Sequence, residues 1–181
     1  QIRDATGVPA YYAVHPTDPR LYVISKPCTL NGGITLEGTA ILVVYGTDLA
    51  VNGNISLRGD AALVIRQSVL TIANSFVGEY HIEARDRATL SIEASELRTN
   101  GGTTTTNLAA EYRGYDDSRL HIQDSQIAVK RSWLLADLFD RSVLLTINSA
   151  ALPTETYPHD SATVLIEGGN AHGVWLEFLP G

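Results

Sequence analysis

Aliphatic residues recur along this chain in short alternating runs rather than in helical stripes. In "DRATLSIEASEL" (86–97) Leu90, Ile92 and Leu97 stand among polar neighbours, and "DDSRLHIQDSQI" (116–127) repeats the scheme with Leu120, Ile122 and Ile127. A period of two is that of a strand, whose successive side chains leave opposite faces. No stretch sustains apolar residues at i, i+3, i+4 and i+7, so the pattern predicts an all-β chain of short strands.

With Asp86 and Asp116 as offset zero, the same frame fits Gly38, Gly59, Asp140 and Asp160, at steps of 21, 27, 30, 24 and 20 residues. Offset four is then Leu42, Leu63, Leu90, Leu120, Leu144 and Val164, and offset six is Val44, Ile65, Ile92, Ile122, Thr146 and Ile166. Offset nine holds small residues, Thr47, Ser68, Ser95, Ser125, Ser149 and Gly169, expected to form an internal hydroxyl ladder at a bend. A further short strand precedes the anchors in "NISLR", "YHIEA" and "AEYRG". So small a unit cannot bury its apolar side alone, whereas stacked units share one core. The pattern therefore predicts a right-handed single-stranded parallel β-helix of about six to seven irregular coils.

The expected organisation is one β-helix domain over 1–181. Residues 1–33 form an N-terminal cap or first coil, 34–171 the repeat coils and 172–181 a C-terminal cap. Uneven coil lengths place the loops at one corner, "TNGGTTTTN" (99–107) being the longest excursion. The aromatic ends serve either as caps over the open strand edges or as surfaces for end-to-end self-association.

These columns in irregular coils resemble the right-handed β-helix superfamily that includes pectate lyases, polygalacturonases, phage tailspikes and bacterial adhesins. The resemblance covers roughly 34–171 and is one of architecture. Its polygalacturonase branch places paired acids and a His-Gly motif about one coil apart, whereas Asp117 and His172 here are separated by 172 − 117 = 55 residues. The resemblance thus implies the fold and a carbohydrate context, without a catalytic motif.

Composition narrows the partners. Thirteen Lys and Arg stand against 20 Asp and Glu, a net charge of −7 with no basic run, so no nucleic-acid partner is expected. The longest apolar run, Ala40–Tyr45, is too short to span a bilayer, and no membrane insertion is expected. The single Cys28 has no partner for an internal disulfide and reads as a small buried hydrophobe. No Met occurs, even at position 1, which leads to the expectation of a mature or trimmed product that is secreted or held at the cell surface.

Candidate chemistry sits where the copies disagree. Tyr80, Arg85, Arg87, Tyr112, Arg113, Tyr115, Asp117 and Arg119 combine rings with charges just before and after their anchors, the composition of a carbohydrate-binding face. Trp133 shares that placement. Asp86, Asp116 and Asp140 form a stacked acidic column that either caps turns or ligates calcium, the one cofactor considered. No catalytic set assembles from the scattered histidines, and Lys130 and the arginines read as ion-pairing groups rather than bases. The expectation is a non-enzymatic β-helix for surface adhesion, extracellular assembly or polysaccharide binding, with a polysaccharide or cell-surface glycan as partner. The alternatives are a polysaccharide lyase or glycoside hydrolase acting on an acidic polysaccharide, and a structural subunit stacking end-to-end into a filament.

Overall fold

A computed structural model describes residues 12–15, 18–99, 108–127, 132–151, 154–169 and 174–176. A short hairpin strand, β1 (Tyr12–His15), leads into triplets of strands, each triplet one coil. They are β2 (Asp18–Ile24), β3 (Cys28–Leu30) and β4 (Ile34–Leu36); then β5 (Ile41–Tyr45), β6 (Asp48–Val51) and β7 (Ile55–Leu57). Next come β8 (Ala62–Arg66), β9 (Val69–Ile72) and β10 (His81–Ala84), followed by β11 (Thr89–Glu93), β12 (Glu96–Thr99) and β13 (Leu108–Gly114). The last are β14 (Arg119–Gln123), β15 (Gln126–Ile127) and β16 (Ser132–Leu138); β17 (Val143–Ile147), β18 (Ala150–Ala151) and β19 (Thr154–Pro158); and β20 (Thr163–Glu167) and β21 (Val174–Leu176).

Like strands of successive triplets pair in parallel, giving three sheets. Sheet A runs β1-β2-β5-β8-β11-β14-β17-β20, sheet B runs β3-β6-β9-β12-β15-β18, and sheet C runs β4-β7-β10-β13-β16-β19-β21. The molecule is an all-β parallel solenoid with no helix among the described residues. Sheet B returns to itself five times between β3 and β18, so the solenoid makes about five complete turns. The sequence pattern predicted six to seven coils, a slight overcount. The ladder begins with β2 and β3, inside the segment read as a cap or first coil, and β1 pairs antiparallel along the free edge of β2. The rest of that N-terminal segment, residues 1–11, and residues 177–181 at the other end lie outside the described residues, as do residues 100–107 of the Gly- and Thr-rich excursion.

The apolar columns are the core. Leu42, Leu63, Leu90, Leu120 and Leu144 are stacked in register on sheet A and buried, as are Val44, Ile65, Ile92 and Ile122 two positions on. The expected serine ladder is present where sheet A bends into sheet B. The backbone N–H groups of Thr47, Ser68 and Ser95 each donate at 3.1 Å to the serine hydroxyl one coil on, and Ser125 does so to Ser149 at 3.3 Å. Each hydroxyl donates in turn to a carbonyl two residues back, Ser125 to Gln123 at 2.6 Å.

Coil length varies at one corner, as expected. The A-to-B bend is two residues from the second coil onward, and the C-to-A turn is always four, as in 85–88 and 115–118. The B-to-C connection is three residues in the first two coils and eight in 73–80 and 100–107. The 73–80 excursion therefore rises beside an edge of sheet C.

Candidate functional site: the outer face of sheet C and its turn

The four-residue C-to-A turn needs one residue in the left-handed region, and the anchor column supplies it. Gly38 and Gly59 have φ of 65° and 75°, and Asp86, Asp116, Asp140 and Asp160 have 59°, 58°, 57° and 52°. Glycine enters this region freely, and Asp is among the few other residues that tolerate it. The aspartates add a hydrogen bond. Asp86 Oδ2 accepts from Gly59 N at 2.8 Å, Asp116 Oδ2 from Asp86 N at 3.1 Å and Asp140 Oδ2 from Asp116 N at 3.1 Å. The candidate calcium ligands Asp86, Asp116 and Asp140 thus each commit an oxygen to the turn one coil back. No group of three His, Cys, Asp or Glu side chains gathers at metal-binding range among the described residues.

The positions on either side of the anchor form two further columns. Immediately after it, Arg87 holds Asp60 through both oxygens at 2.7 and 2.8 Å, and Arg141 holds Asp117 at 2.7 Å twice, so charge alternates from coil to coil. The hydrogen bond from Arg141 is the main reason the Asp117 carboxyl is held below its usual range. Immediately before it, the Arg85 guanidinium lies 4.2 Å from the Tyr115 ring centroid, Tyr115 stacks on Phe139 at 4.9 Å, and Phe139 stacks on His159 at 4.4 Å, both ring pairs at 6°. Sugar rings stack on aromatic faces, and both faces of Tyr115 and Phe139 are already covered by this pile.

Sheet C carries the remaining chemistry on its outward positions. Glu83, Arg113, Asp137 and Tyr157 lie in one register row across β10, β13, β16 and β19. His81, Glu111, Leu135 and Glu155 form the parallel row. Arg113 Nη2 donates to Glu111 Oε2 at 3.0 Å, and Glu111 is only 6% exposed because the 73–80 excursion overhangs it. Arg85 Nε donates to Glu83 Oε1 at 2.8 Å, and that bond is the main reason the Glu83 carboxyl is lowered. Asp137 is half-buried and has no hydrogen-bond or ion-pair partner among the described residues. Burial pushes its carboxyl above the usual range and Glu111 adds to this, while His159 and Arg113 pull the other way. Burial, reinforced by Arg113, lowers the His81 imidazole against the opposing charges of Glu83 and Glu111. An unpaired, half-buried carboxyl in a mixed-charge cluster is the arrangement that ligand-binding and acid–base sites share.

The sequence-derived candidates separate accordingly. Arg113 lies in the sheet C cluster, Arg85 and Tyr115 in the pile, and Arg87 and Asp117 in the charge ladder. Tyr80 is half-buried at the end of the 73–80 excursion and packs against the core. Arg119 is exposed at the start of β14, with no hydrogen bond or ion pair to a described residue. Tyr112 belongs to no surface. It pairs in register with Ile82, which pairs with Ile55, an inward row, and is 0% exposed. Burial drives its phenol far above the ordinary range, against a smaller opposing effect of the Ser118 hydroxyl. The Trp133 side chain, Lys130 and the His172-Gly173 pair lie outside the described residues. Sequence reasoning did not single out His81, Glu83, Glu111, Asp137, Phe139 or His159 as site residues. The signal was available at the odd offsets before the anchor, −1, −3 and −5, where the strand period puts the outward side chains.

No family model, curated protein or solved structure matches the chain.

Proposed function

We propose that this solenoid is a non-enzymatic, extracellular glycan-binding module whose sheet C face receives a linear polysaccharide, in adhesion or surface assembly. The observation that carries the reading is Asp137. Retaining a half-buried carboxyl with no hydrogen-bond or ion-pair partner among the described residues costs stability, and a ligand hydroxyl or amide donor would satisfy it. The rows around it favour an elongated ligand, because donors and acceptors recur at the coil pitch of about 4.8 Å along a rigid surface. At its edge the 73–80 excursion raises Phe76 and Val77, 61% and 49% exposed, as a side wall. Kinship with the pectate-lyase-like superfamily is part of this proposal and rests on the shared architecture. The test is a glycan array followed by titration of the binding glycan into Asp137→Asn and Arg113→Ala. Loss of affinity in both supports the reading, and undiminished binding in both removes it.

A catalytic reading has one observation in its favour, the pairing of the raised Asp137 carboxyl with the nearly buried Glu111 on one face, since two carboxyls in different environments can divide acid and base roles. Release of new reducing ends or unsaturated uronates from an acidic polysaccharide by the wild type, and none by Asp137→Asn, would replace the binding reading with this one.

A further inference from the structure

The outer face of sheet A differs in kind from those of sheets B and C. Outward positions on sheet C carry Glu83, Arg113 and Asp137, and those on sheet B carry Asp48, Glu96 and Arg98. On sheet A the central outward row begins with Val23, Val43 and Val64 and ends with Leu145 and Leu165, one residue per coil in register. Ser91 and His121 interrupt it midway, 3.4 Å apart on adjacent strands. The row on one side is aliphatic at Leu21, Ile41, Ala62 and Val143. None of these aliphatic side chains is fully buried, and Leu165 is 52% exposed.

Parallel strands that read as continuous apolar runs, as "ILVVY" (41–45) and "VLLTI" (143–147) do, are those covered on both faces. The core covers one face of sheet A, and the other is an apolar surface of the kind that marks an interaction site. Seven strands, β2 to β20, at a spacing of about 4.8 Å and a length of about 17 Å give it a projected area of about 500 Å². Two such faces in contact bury about 1,000 Å² together, the lower limit for a specific interface.

We propose that two copies of this chain pack sheet A against sheet A, related by a two-fold parallel to the solenoid axis. That two-fold keeps each coil opposite its own counterpart and reverses strand direction. The central apolar row then meets itself, and each flanking row meets the other. The charges select this arrangement. Arg119 is the one charged member of the row that holds Leu21 and Val143, while the opposite row sets Arg66 against Glu93 and Glu167 and is net negative. Positive therefore faces negative on both sides of the axis, whereas a two-fold parallel to the strands would set each row against its own kind. The net charge of −7 opposes docking of the same face on an anionic membrane. Sheet C is a separate face of the coil, so the inference does not rest on the glycan reading.

Sedimentation velocity over a rising concentration series is the test. A shift from the 19.5 kDa chain toward twice that mass in the micromolar range is expected. Val64→Lys and Leu145→Lys set like charges against each other across the two-fold and are each expected to weaken association by about tenfold or more. Thr29→Lys, on the outer face of sheet B, is expected to leave it unchanged, and circular dichroism establishes that each variant has folded. Cysteine substitutions, milder than the lysines, test the orientation. In a Cys28→Ser background, Val43→Cys and Leu145→Cys are each expected to join to their own counterpart through a short bismaleimide. Monomer at every concentration would overturn the proposal, and binding of that monomer to phosphatidylcholine vesicles would assign the face to a lipid surface instead. Association undiminished by both lysine substitutions would overturn it too, as would Val43→Cys joining only to Leu145→Cys in a mixture of the two, the pattern of the reversed arrangement.

Discussion

The backbone N–H of Asp86 donates to Asp116 Oδ2, thirty residues on in sequence and one coil on in space, at 3.1 Å. The same pair occupies equivalent left-handed positions, φ 59° and 58°, so each Asp shapes its own turn and caps its neighbour's. The column is thus explained by backbone conformation and hydrogen bonding together.

These two contributions separate by substitution. Asp116→Gly keeps the conformation and loses the bond to Asp86 N, at an expected cost of about 1 kcal/mol. Asp116→Ala loses the bond and also places a Cβ-bearing residue without side-chain compensation in the left-handed region, for about 2 kcal/mol. Urea unfolding of both variants checks the order, and equal stabilities would show that the conformational cost is absent.

The buried ladder gives a sharper effect at Ser125. Its Oγ accepts from Ser95 N at 3.1 Å and donates to Gln123 O at 2.6 Å. Ser125→Ala strands that buried N–H and is expected to cost about 1–3 kcal/mol, whereas Ser125→Thr keeps the hydroxyl and is expected to be milder. Thermal unfolding monitored by circular dichroism measures the difference.

Close backbone approach decides Gly53. A Cβ there would meet Gly32 C at 2.6 Å and Gly33 N at 2.7 Å, backbone atoms of the preceding coil that have no rotamer to escape into. Gly53→Ala is therefore expected to destabilise by about 1–3 kcal/mol through overpacking, seen as a lower urea midpoint.

The pH dependence of stability carries two opposite signs. Asp137 has a raised carboxyl, so the folded state holds its proton more tightly than the unfolded chain does. Its penalty is absent in acid, develops as pH rises from the ordinary carboxylate range to the raised folded value, and is complete above it. Asp137→Asn is expected to stabilise the protein at neutral pH and to have no such effect in acid. Glu83 is lowered chiefly by its bond from Arg85, so its stabilisation is present above the ordinary range and is lost as pH falls through the lowered folded value. Denaturant midpoints of wild type and Asp137→Asn across pH check this, and parallel curves would contradict it.

The repeat was legible in the sequence because burial constrains residue type. Leu90 and Leu120 must both fill the same layer of one core, and Ser95 and Ser125 must both hydrogen-bond at the same bend, so like residues recur at like offsets. The functional surface was less legible because outward positions face solvent and carry no such constraint. Tyr112 shows the consequence. Its type and place before the anchor matched a surface aromatic, yet the strand period puts it on the inward row of Ile82, and only Gly114, with Tyr112 Cε1 2.9 Å from where its Cβ would be, leaves room for the ring.

By itself, the sequence determined the strand period, the stacking of coils, the core columns and the single variable corner, all consequences of apolar burial and backbone pairing repeated along the chain. Only the tertiary structure decided which polar residues meet. Asp137 acquires its environment from Arg113 one coil before and His159 one coil after. Those relationships depend on register across coils of unequal length, a distance in space that spacing along the chain does not encode.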